Sequence, residues 1–302
     1  MALKDIKAKI QATKRMHTVT RAMEAVSAVK MRKTQETALG CRPYARAALS
    51  ILARLSGSAD VQKHPLATVR PVSRTALVII TSDKGLAGAL NSGVIKAAAT
   101  AVESLAKDSV TVYAYGKKGE DFFRRRGYAV ARAMENKQDN VPLSVMEGLS
   151  EELSKGFLKG EYDQVLAVYS NFKSTFEQAP TLRHLLPLSV GSMTELVADI
   201  QPVKGKWSGT DTILAPGSYT VEPSTDEVLT ILVPRLVAVS LYHMLLESKA
   251  SEHSARMVAM KNASDKSKEV TRDLTRVYNK VRQAAITREV SEIVGGREAL
   301  AS

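Results

Sequence analysis

The chain has 302 residues, 44% of them hydrophobic and 5% aromatic, and its formal net charge is +12 at pH 7. No apolar run approaches the roughly 18 residues of a membrane span, and the opening sequence MALKDIKAKI lacks the apolar core of a signal peptide. A single cysteine, Cys41, excludes an internal disulfide and a cysteine-based zinc site of the chain's own. These features predict a soluble protein in a reducing compartment.

The first 56 residues are strongly basic and predict one long helix. They carry 12 Lys and Arg against 3 Asp and Glu, with no glycine before Gly40 and no proline before Pro43. Apolar residues three and four apart predict a coiled-coil seam with a shift of phase near residues 10–16. The predicted seam residues are Leu3, Ile6, Ile10, Met16, Val19, Met23, Val26 and Val29, with His17 and Thr20 beside them.

The middle of the chain, about 70–200, predicts an α/β domain. Strands and helices alternate there, which is typical of a Rossmann-like, doubly wound parallel sheet. The predicted strands are 75–81, 110–116, 128–133 and 163–172, with a weaker one at 180–188, and the predicted helices are about 88–107, 117–126 and 142–159. Residues 201–224 are rich in Gly, Pro, Ser and Thr and predict a connection.

Residues 225–302 predict a second long helix. Ser224 or Thr225 is the expected N-cap, and Pro234 is expected to kink the helix near its start. No glycine occurs between Gly217 and Gly295. Two long helices at the ends of the chain, around a compact domain, predict an antiparallel coiled coil of 1–56 with 225–302.

The loop TSDKGLAGALNS, residues 81–92, lies where many α/β proteins hold a nucleotide phosphate. Its glycines match neither the G-x-G-x-x-G fingerprint nor the P-loop, so we expect a tight turn in which Ser82 or Asp83 caps backbone amides. The loop residues of interest are Ser82, Asp83, Lys84, Gly85 and Gly88.

No catalytic or metal-binding constellation stands out. The five histidines have no metal-ligand spacing, and no serine lies in a G-x-S-x-G context. The basic first helix instead predicts an acidic partner, either a protein surface or a nucleic acid. Two alternatives to a protein-binding role therefore stay open at this point: a coiled-coil nucleic-acid-binding or scaffold protein, and a Rossmann-type enzyme.

Several blocks resemble the gamma subunit of the F-type ATP synthase. The sequence ITREVSEIVGG, residues 286–296, is similar to the C-terminal signature of that family. LKDIKAKI, VTRAMEAVSAVKMRKTQ, SEHSARMVAMKNAS, VYNKVRQAAIT and the loop 81–92 also look like family blocks, in the family's order. The signature residues are Ile286, Thr287, Glu289, Glu292 and Gly295.

The resemblance implies a central rotor shaft without catalytic residues, metal site or nucleotide site of its own. In the family, the helix pair stands inside a ring of three alpha and three beta subunits, which bind ATP or ADP with Mg. The middle domain meets the epsilon subunit (delta in mitochondria) and the c-subunit ring, and proton flow drives rotation. The implied location is the cytoplasmic face of a bacterial inner membrane, or alternatively the matrix face in mitochondria, with no nucleic acid involved and membrane contact only through the c ring.

The resemblance also implies contacts with the beta subunit. Arg282 and Gln283 match positions that hydrogen-bond a loop of beta. Met23, Lys30, Arg32 and Lys33 lie where the first helix meets an acidic lever of beta. The implied contact residues are Arg282, Gln283, Met23, Lys30, Arg32 and Lys33. The chain departs from the family pattern at Lys84, Ala87 and Ala89, and it lacks the thiol pair that regulates the chloroplast form, since Cys41 stands alone.

Overall fold

The structure is a computed structural model that describes residues 3–55, 64–187 and 225–301. Two compact units divide the chain: Met1–Ser27 with Arg256–Ser302, and Ala28–Ala255. We call them the coil unit and the sheet unit, and each long helix contributes to both.

In chain order the elements are α1 (Leu3–Leu55), a 3-10 turn (Pro65–Ala67), β1 (Thr75–Ile80), α2 (Leu90–Ala101), a second 3-10 turn (Lys107–Ser109), β2 (Val110–Tyr115), α3 (Lys117–Arg125), β3 (Ala129–Met134), α4 (Leu143–Leu158), β4 (Gln164–Phe172), β5 (Gln178–Leu186) and α5 (Thr225–Ala301). The predicted connection 201–224 and the side chain of Cys41 lie outside the described residues.

The sheet unit is built on a five-stranded sheet in the order β3-β2-β1-β4-β5. The first four strands are parallel, as predicted, and β1 at the centre is buried along its whole length. The prediction is wrong for the fifth strand, because β5 runs antiparallel to β4. Only residues 173–177 join the two strands, and so short a connection makes a hairpin and cannot cross over to form a parallel pair.

The two faces of the sheet are covered by different helices, because the side chains of a strand alternate between faces. Leu77 and Ile79 of β1 pack on α2 and α3, whereas Ala76, Val78 and Ile80 pack on α4 and on the early part of α5. The α5 residues in this core are Leu236, Val237, Leu241, Met244 and Leu245. The C-terminal helix is therefore a core helix of the sheet as well as half of the helix pair.

The seam of the coil unit differs from the predicted one. The predicted phase shift is absent: the buried and half-buried positions of α1 continue the opening heptad through polar residues. Thr20 and Ser27 are buried, whereas Val19 and Val26 are more than half exposed. The seam positions are Leu3, Ile6, Ile10, Thr13, His17, Thr20, Glu24 and Ser27. The buried and half-buried positions of α5 in the same unit include Met260, Ser264, Ser267, Thr271, Leu274, Tyr278 and Val281.

One cross-helix contact within the coil unit shows how this polar seam is held. The Nδ1 atom of His17 lies 3.1 Å from the carbonyl oxygen of Ser264 and 3.0 Å from its hydroxyl oxygen. Polar side chains at seam positions fix the register of two helices, because a shifted register would leave them buried without partners. Leu3, Ile6 and Ile10 lie in the seam as predicted, whereas the later apolar residues Met16, Val19, Val26 and Val29 are more than half exposed.

Part of α5, within Thr230–Val294, is long and apolar enough to cross a membrane by length and composition alone. Of that stretch, 59% is buried inside the structure. Because residues 236–250 form part of the sheet core, the apolar composition is accounted for by packing against the sheet.

Two glycines on α4 should respond in opposite ways to alanine. A Cβ at Gly156 would overlap the hydroxyl of Tyr162, a buried residue whose ring meets that of Tyr113 edge to face, with centroids 6.4 Å apart. Gly148 has open space around it. We expect Gly156→Ala to lower the free energy of unfolding by about 1–3 kcal/mol and Gly148→Ala to raise it by up to about 1 kcal/mol. Urea unfolding of both variants checks this, and equal shifts would contradict the close packing at Gly156.

Alkaline pH should destabilise the sheet unit through Tyr115 in β2. Burial, with a smaller contribution from the charge of Asp83, raises the pKa of Tyr115 to about 12. The folded pKa lies above the unfolded value of about 10. The free energy of unfolding therefore keeps its full value below pH 10 and falls as the pH rises from 10 to 12, because the unfolded chain loses the phenol proton first. The loss would approach about 2–3 kcal/mol.

The variant Tyr115→Phe checks this assignment. Its free energy of unfolding should fall less than that of the wild type between pH 9 and about 11.5. A parallel decline of wild type and Tyr115→Phe would show that the phenol of Tyr115 is not responsible.

Candidate functional site

The place where an α/β sheet of this kind binds ligands is the crevice at the carboxyl ends of β1 and β4. The chain leaves β1 in one direction toward β2, and β4 pairs on the other side, so this is the switch point of the sheet. The loop 81–92 follows β1 and forms one wall of the crevice. Its geometry therefore decides whether a phosphate site exists.

Side chains hold the loop in a closed turn. The side-chain oxygen of Asn91 accepts a hydrogen bond from the Ser82 amide at 3.0 Å, and its amide nitrogen donates to the Ser82 hydroxyl at 2.7 Å. That hydroxyl donates to the carbonyl of Lys84 at 2.6 Å. Leu86 and Gly88 both have positive φ, 63° and 57°, which a tight turn requires. The Ser82 hydroxyl thus bonds a carbonyl and not the backbone amide that the sequence predicted.

Asp83 caps backbone amides, as predicted, but the amides belong to other elements. Its two carboxylate oxygens accept from the amide of Lys117, the first residue of α3, at 2.8 Å and from the amide of Asn136 at 2.9 Å. A carboxylate at a helix N-terminus is stabilised by the free amides and the helix dipole. The helix that follows the loop, α2, has Ala89 at its N-cap without a side-chain hydrogen bond. Lys84 and Gly85 are exposed.

The crevice is occupied by α5 of the chain itself. Lys249, only 2% exposed, donates to the side-chain oxygen of Asn136 at 2.5 Å, and the amide nitrogen of Asn136 donates to the Thr81 carbonyl at 2.7 Å. On the β4 side, the hydroxyl of Ser251 donates to the carbonyl of Ser170 at 3.1 Å. Polar groups at the ends of both strands are therefore satisfied from within the chain.

Lys249 is a buried cation that the sequence analysis missed. Burial lowers its pKa, while the charges of Glu252, Asp139 and Asp83 oppose that shift. Its Nζ atom also donates to the carbonyl of Gln138 at 2.5 Å. A lysine in the mainly apolar stretch 236–250, which also holds His243 and Glu247, was the available signal, since a lysine is fully buried almost only when it is paired.

A second carboxylate, Asp139, lies between the two long helices inside the sheet unit. Its Oδ2 is 2.7 Å from Nζ of Lys30 on α1, and its Oδ1 is 3.2 Å from Nε2 of His253 on α5. Burial alone would raise the pKa of Asp139, but the hydrogen bond from Lys30 and the charges of His253, Lys30 and Lys249 outweigh it and hold the pKa below its ordinary value. The carboxylate is therefore charged at neutral pH.

The predicted contact residues on α1 fall in both units. Met23 is half-buried in the coil unit. In the sheet unit, Lys33 is exposed, Arg32 is exposed and bonds Glu36 at 3.3 Å, and Lys30 bonds Asp139. The structure thus presents Arg32 and Lys33 to solvent, while the amine of Lys30 is engaged by a carboxylate of the same chain.

The predicted contact and signature residues on α5 lie near its C-terminal end. Arg282 and Gln283 are exposed, and the hydroxyl of Thr287 donates to the carbonyl of Gln283 at 2.9 Å. Ile286, Glu289 and Glu292 are also exposed, and Gly295 continues the helix backbone. No side chain from 282 to 294 is buried by the described part of the chain.

Several large apolar side chains on both helices of the coil unit are exposed to solvent. We call these residues the outer stripe. Each is about half exposed or more, as in Ile293 at 71%. The members are Met16, Val19, Val26, Val277, Ile286, Val290, Ile293 and Val294. These exposed apolar side chains are candidate contacts for a partner.

The whole chain matches known proteins. The sequence pattern of the ATP synthase family matches residues 2–300. An ATP synthase gamma chain from Roseiflexus sp. (strain RS-1) is 43% identical over 303 residues, which is 99% of this chain and 98% of the relative. One from Chlorobium phaeobacteroides (strain BS1) is 39% identical over 304 residues, again 99% and 98%.

Solved structures agree with these relatives. A chain of the central stalk and c-ring of the Tetrahymena thermophila mitochondrial ATP synthase has a TM-score of 0.61 at 26% identity, over 82% of this chain and 99% of that one. A chain of the Euglena gracilis mitochondrial ATP synthase shares the fold, with a TM-score of 0.64 at 18% identity, over 99% and 94%. The chain therefore belongs to the ATP synthase gamma-chain family.

Proposed function

We propose that this gamma chain is the rotating shaft that couples proton-driven turning of a c ring to ATP synthesis and hydrolysis at the beta subunits. The outer stripe carries this proposal. Large apolar side chains on both helices of the coil unit are about half exposed or more. They require a surrounding apolar surface, which a ring of alpha and beta subunits would supply.

The chemistry of the outer stripe suits a surface that must turn within its partner. Apolar contacts are non-directional, so one partner residue can replace another as the shaft rotates. Hydrogen bonds require defined distances and angles and would favour a single orientation. The exposed cations Arg32 and Lys33 add screened attraction toward acidic loops, worth at most about 1 kcal/mol for each exposed pair and therefore easily broken.

The chain is proposed to hold no nucleotide, with ATP, ADP and Mg bound by partner subunits. The filled switch point supports this, because Lys249, Asn136 and Ser251 occupy positions where a phosphate or base would have to enter. Entry of a ligand would require α5 to leave the sheet core. This filled crevice argues against the Rossmann-enzyme alternative.

The proposed partners are three alpha and three beta subunits, the epsilon subunit (delta in mitochondria) and the c ring. The structural relative from a central stalk and c-ring supports the c-ring contact. Gamma chains of bacteria are among the similar proteins, which supports the cytoplasmic face of an inner membrane as the location. Membrane association would then be peripheral, through the c ring.

Rotation of the assembled complex tests the proposal. The chain would be reconstituted with alpha and beta subunits of a closely similar bacterial enzyme, and a bead on the sheet unit would be followed during ATP hydrolysis. We expect unidirectional rotation in three steps per turn. Failure to form a complex with closely matched subunits, or a complex that hydrolyses ATP without turning the bead, would overturn the shaft role.

Met23→Lys should impair coupling. The added ammonium group would gain a charge-assisted contact with the acidic lever of beta and hold the shaft too strongly at one angle. We expect fewer protons pumped per ATP hydrolysed, measured in membrane vesicles that carry the complete enzyme. Met23→Leu is the control, since it keeps the size without the charge, and a wild-type ratio in Met23→Lys would remove Met23 from the contact.

Arg282→Glu should lower turnover by about three- to tenfold, because charge reversal replaces an attraction with a repulsion at the loop of beta. Arg276→Glu makes the same change six residues earlier, where the exposed arginine lies 3.6 Å from Asp273, and should behave closer to the wild type. ATPase and synthesis rates measure both variants. Equal rates for Arg282→Glu and wild type would exclude Arg282 from the contact.

A further inference from the structure

Residues 136–139, between β3 and α4, connect the sheet to both long helices within the sheet unit. We call them the bridge segment. At the sheet, the backbone amide of Asn136 donates to Asp83, and its side-chain amide donates to the Thr81 carbonyl at the end of β1. Asn136 is 7% exposed, so these bonds are shielded from water. One end of the bridge segment is thereby fixed to the central strand.

The bridge segment binds α5 through a buried cation. Nζ of Lys249 donates to the side-chain oxygen of Asn136 and to the carbonyl of Gln138, both at 2.5 Å. Breaking these bonds would leave a charged amine buried without its acceptors, which is strongly unfavourable. Rotation of α5 about its own axis is resisted at this point, because the amine would have to leave both acceptors.

The bridge segment binds α1 through Asp139, whose two oxygens reach the two helices separately. Oδ2 meets Lys30 of α1 at 2.7 Å, and Oδ1 meets His253 of α5 at 3.2 Å. Lys30 is partly exposed, at 43% for its side chain, so this link is the weaker of the two. A single carboxylate thus connects both helices to a segment that is itself held by β1.

We propose that the bridge segment is the joint through which torque passes from the sheet to both helices of the shaft. The proposal rests on the proposed function and adds the residues that carry the load. Directional bonds suit this task, because apolar packing of α5 on the sheet allows a helix to slip about its axis whereas hydrogen bonds at fixed angles do not. Asn136, Lys249 and Asp139 are positioning residues of this joint.

Asp139→Asn tests the joint at its link to α1. The variant keeps the size of the side chain and removes the charge that Lys30 and His253 face. Glu135→Gln is the matched control: it makes the same carboxyl-to-amide change just before the bridge segment and removes an exposed ion pair with Lys137, also 2.7 Å long. Both variants are compared as the isolated full chain and in the reconstituted complex.

The first measurement is hydrogen exchange of the isolated chain, which does not depend on rotation. In Asp139→Asn, the amides of α1 at residues 28–34 should exchange about three- to tenfold faster, while the amides of β1 keep their protection. The control should match the wild type at both places. Lys30→Met should reproduce the effect, and the double variant should add nothing further, because both changes break one link.

The second measurement is the angular fluctuation of a bead on the sheet unit while the complex pauses between steps. A looser joint increases the angular variance of the bead in Asp139→Asn relative to Glu135→Gln, with stepping retained. If the wild type and both variants rotate with equal angular variance of the bead, the proposed joint is disproved, whereas the proposed shaft role is unaffected.

If the wild type itself does not rotate, the shaft role fails, and exchange alone then decides whether the bridge segment fastens α1. Equal exchange of residues 28–34 in Asp139→Asn and in its control would overturn the joint in either case.

Discussion

The structure depends on one helix, α5, which belongs both to the core of the sheet and to the coil unit. Residues 236–250 of this helix are buried in the core of the sheet, and the same helix continues into the coil unit. A helix that completes a core cannot leave it without exposing Leu241, Met244 and Leu245, each worth about 1.5–3 kcal/mol of burial. The same helix therefore takes part in both units, and its residues Lys249 and Ser251 fill the switch point of the sheet.

That closure fits the mechanical role proposed for this Rossmann-like sheet. The turn after β1 keeps the position of a phosphate loop, but Asp83 is directed to the N-terminus of α3 and to Asn136. The crevice instead holds the amine of Lys249, which donates a hydrogen bond to the side chain of Asn136. The polar groups that would select a ligand in an enzyme here fasten a helix.

The coil unit divides its side chains in an unusual way. Small and polar residues, among them Thr20 and Ser264, occupy the buried seam, while Val19 and Val26 face outward. A seam of this kind fixes register through contacts such as that of His17 with Ser264 and leaves apolar surface for partners. This arrangement suits the proposed shaft, because it keeps directional bonds within the helix pair and leaves non-directional contacts at its surface.

The strands of the parallel sheet, the two long helices and the family could all be predicted from the sequence, because hydrophobic period, strand–helix alternation and signature residues are local properties of the chain. The buried face of α1 could not be predicted in this way, because Val19 and Val26 satisfy a heptad as well as Thr20 and Ser27 do. Packing against the partner helix selects the face with Thr20 and Ser27. The antiparallel direction of β5 likewise depended on its short hairpin connection. The roles of Asn136, Asp139 and Lys249 could not be predicted from the sequence, because residues more than 100 positions apart meet only when α5 packs across the ends of the strands.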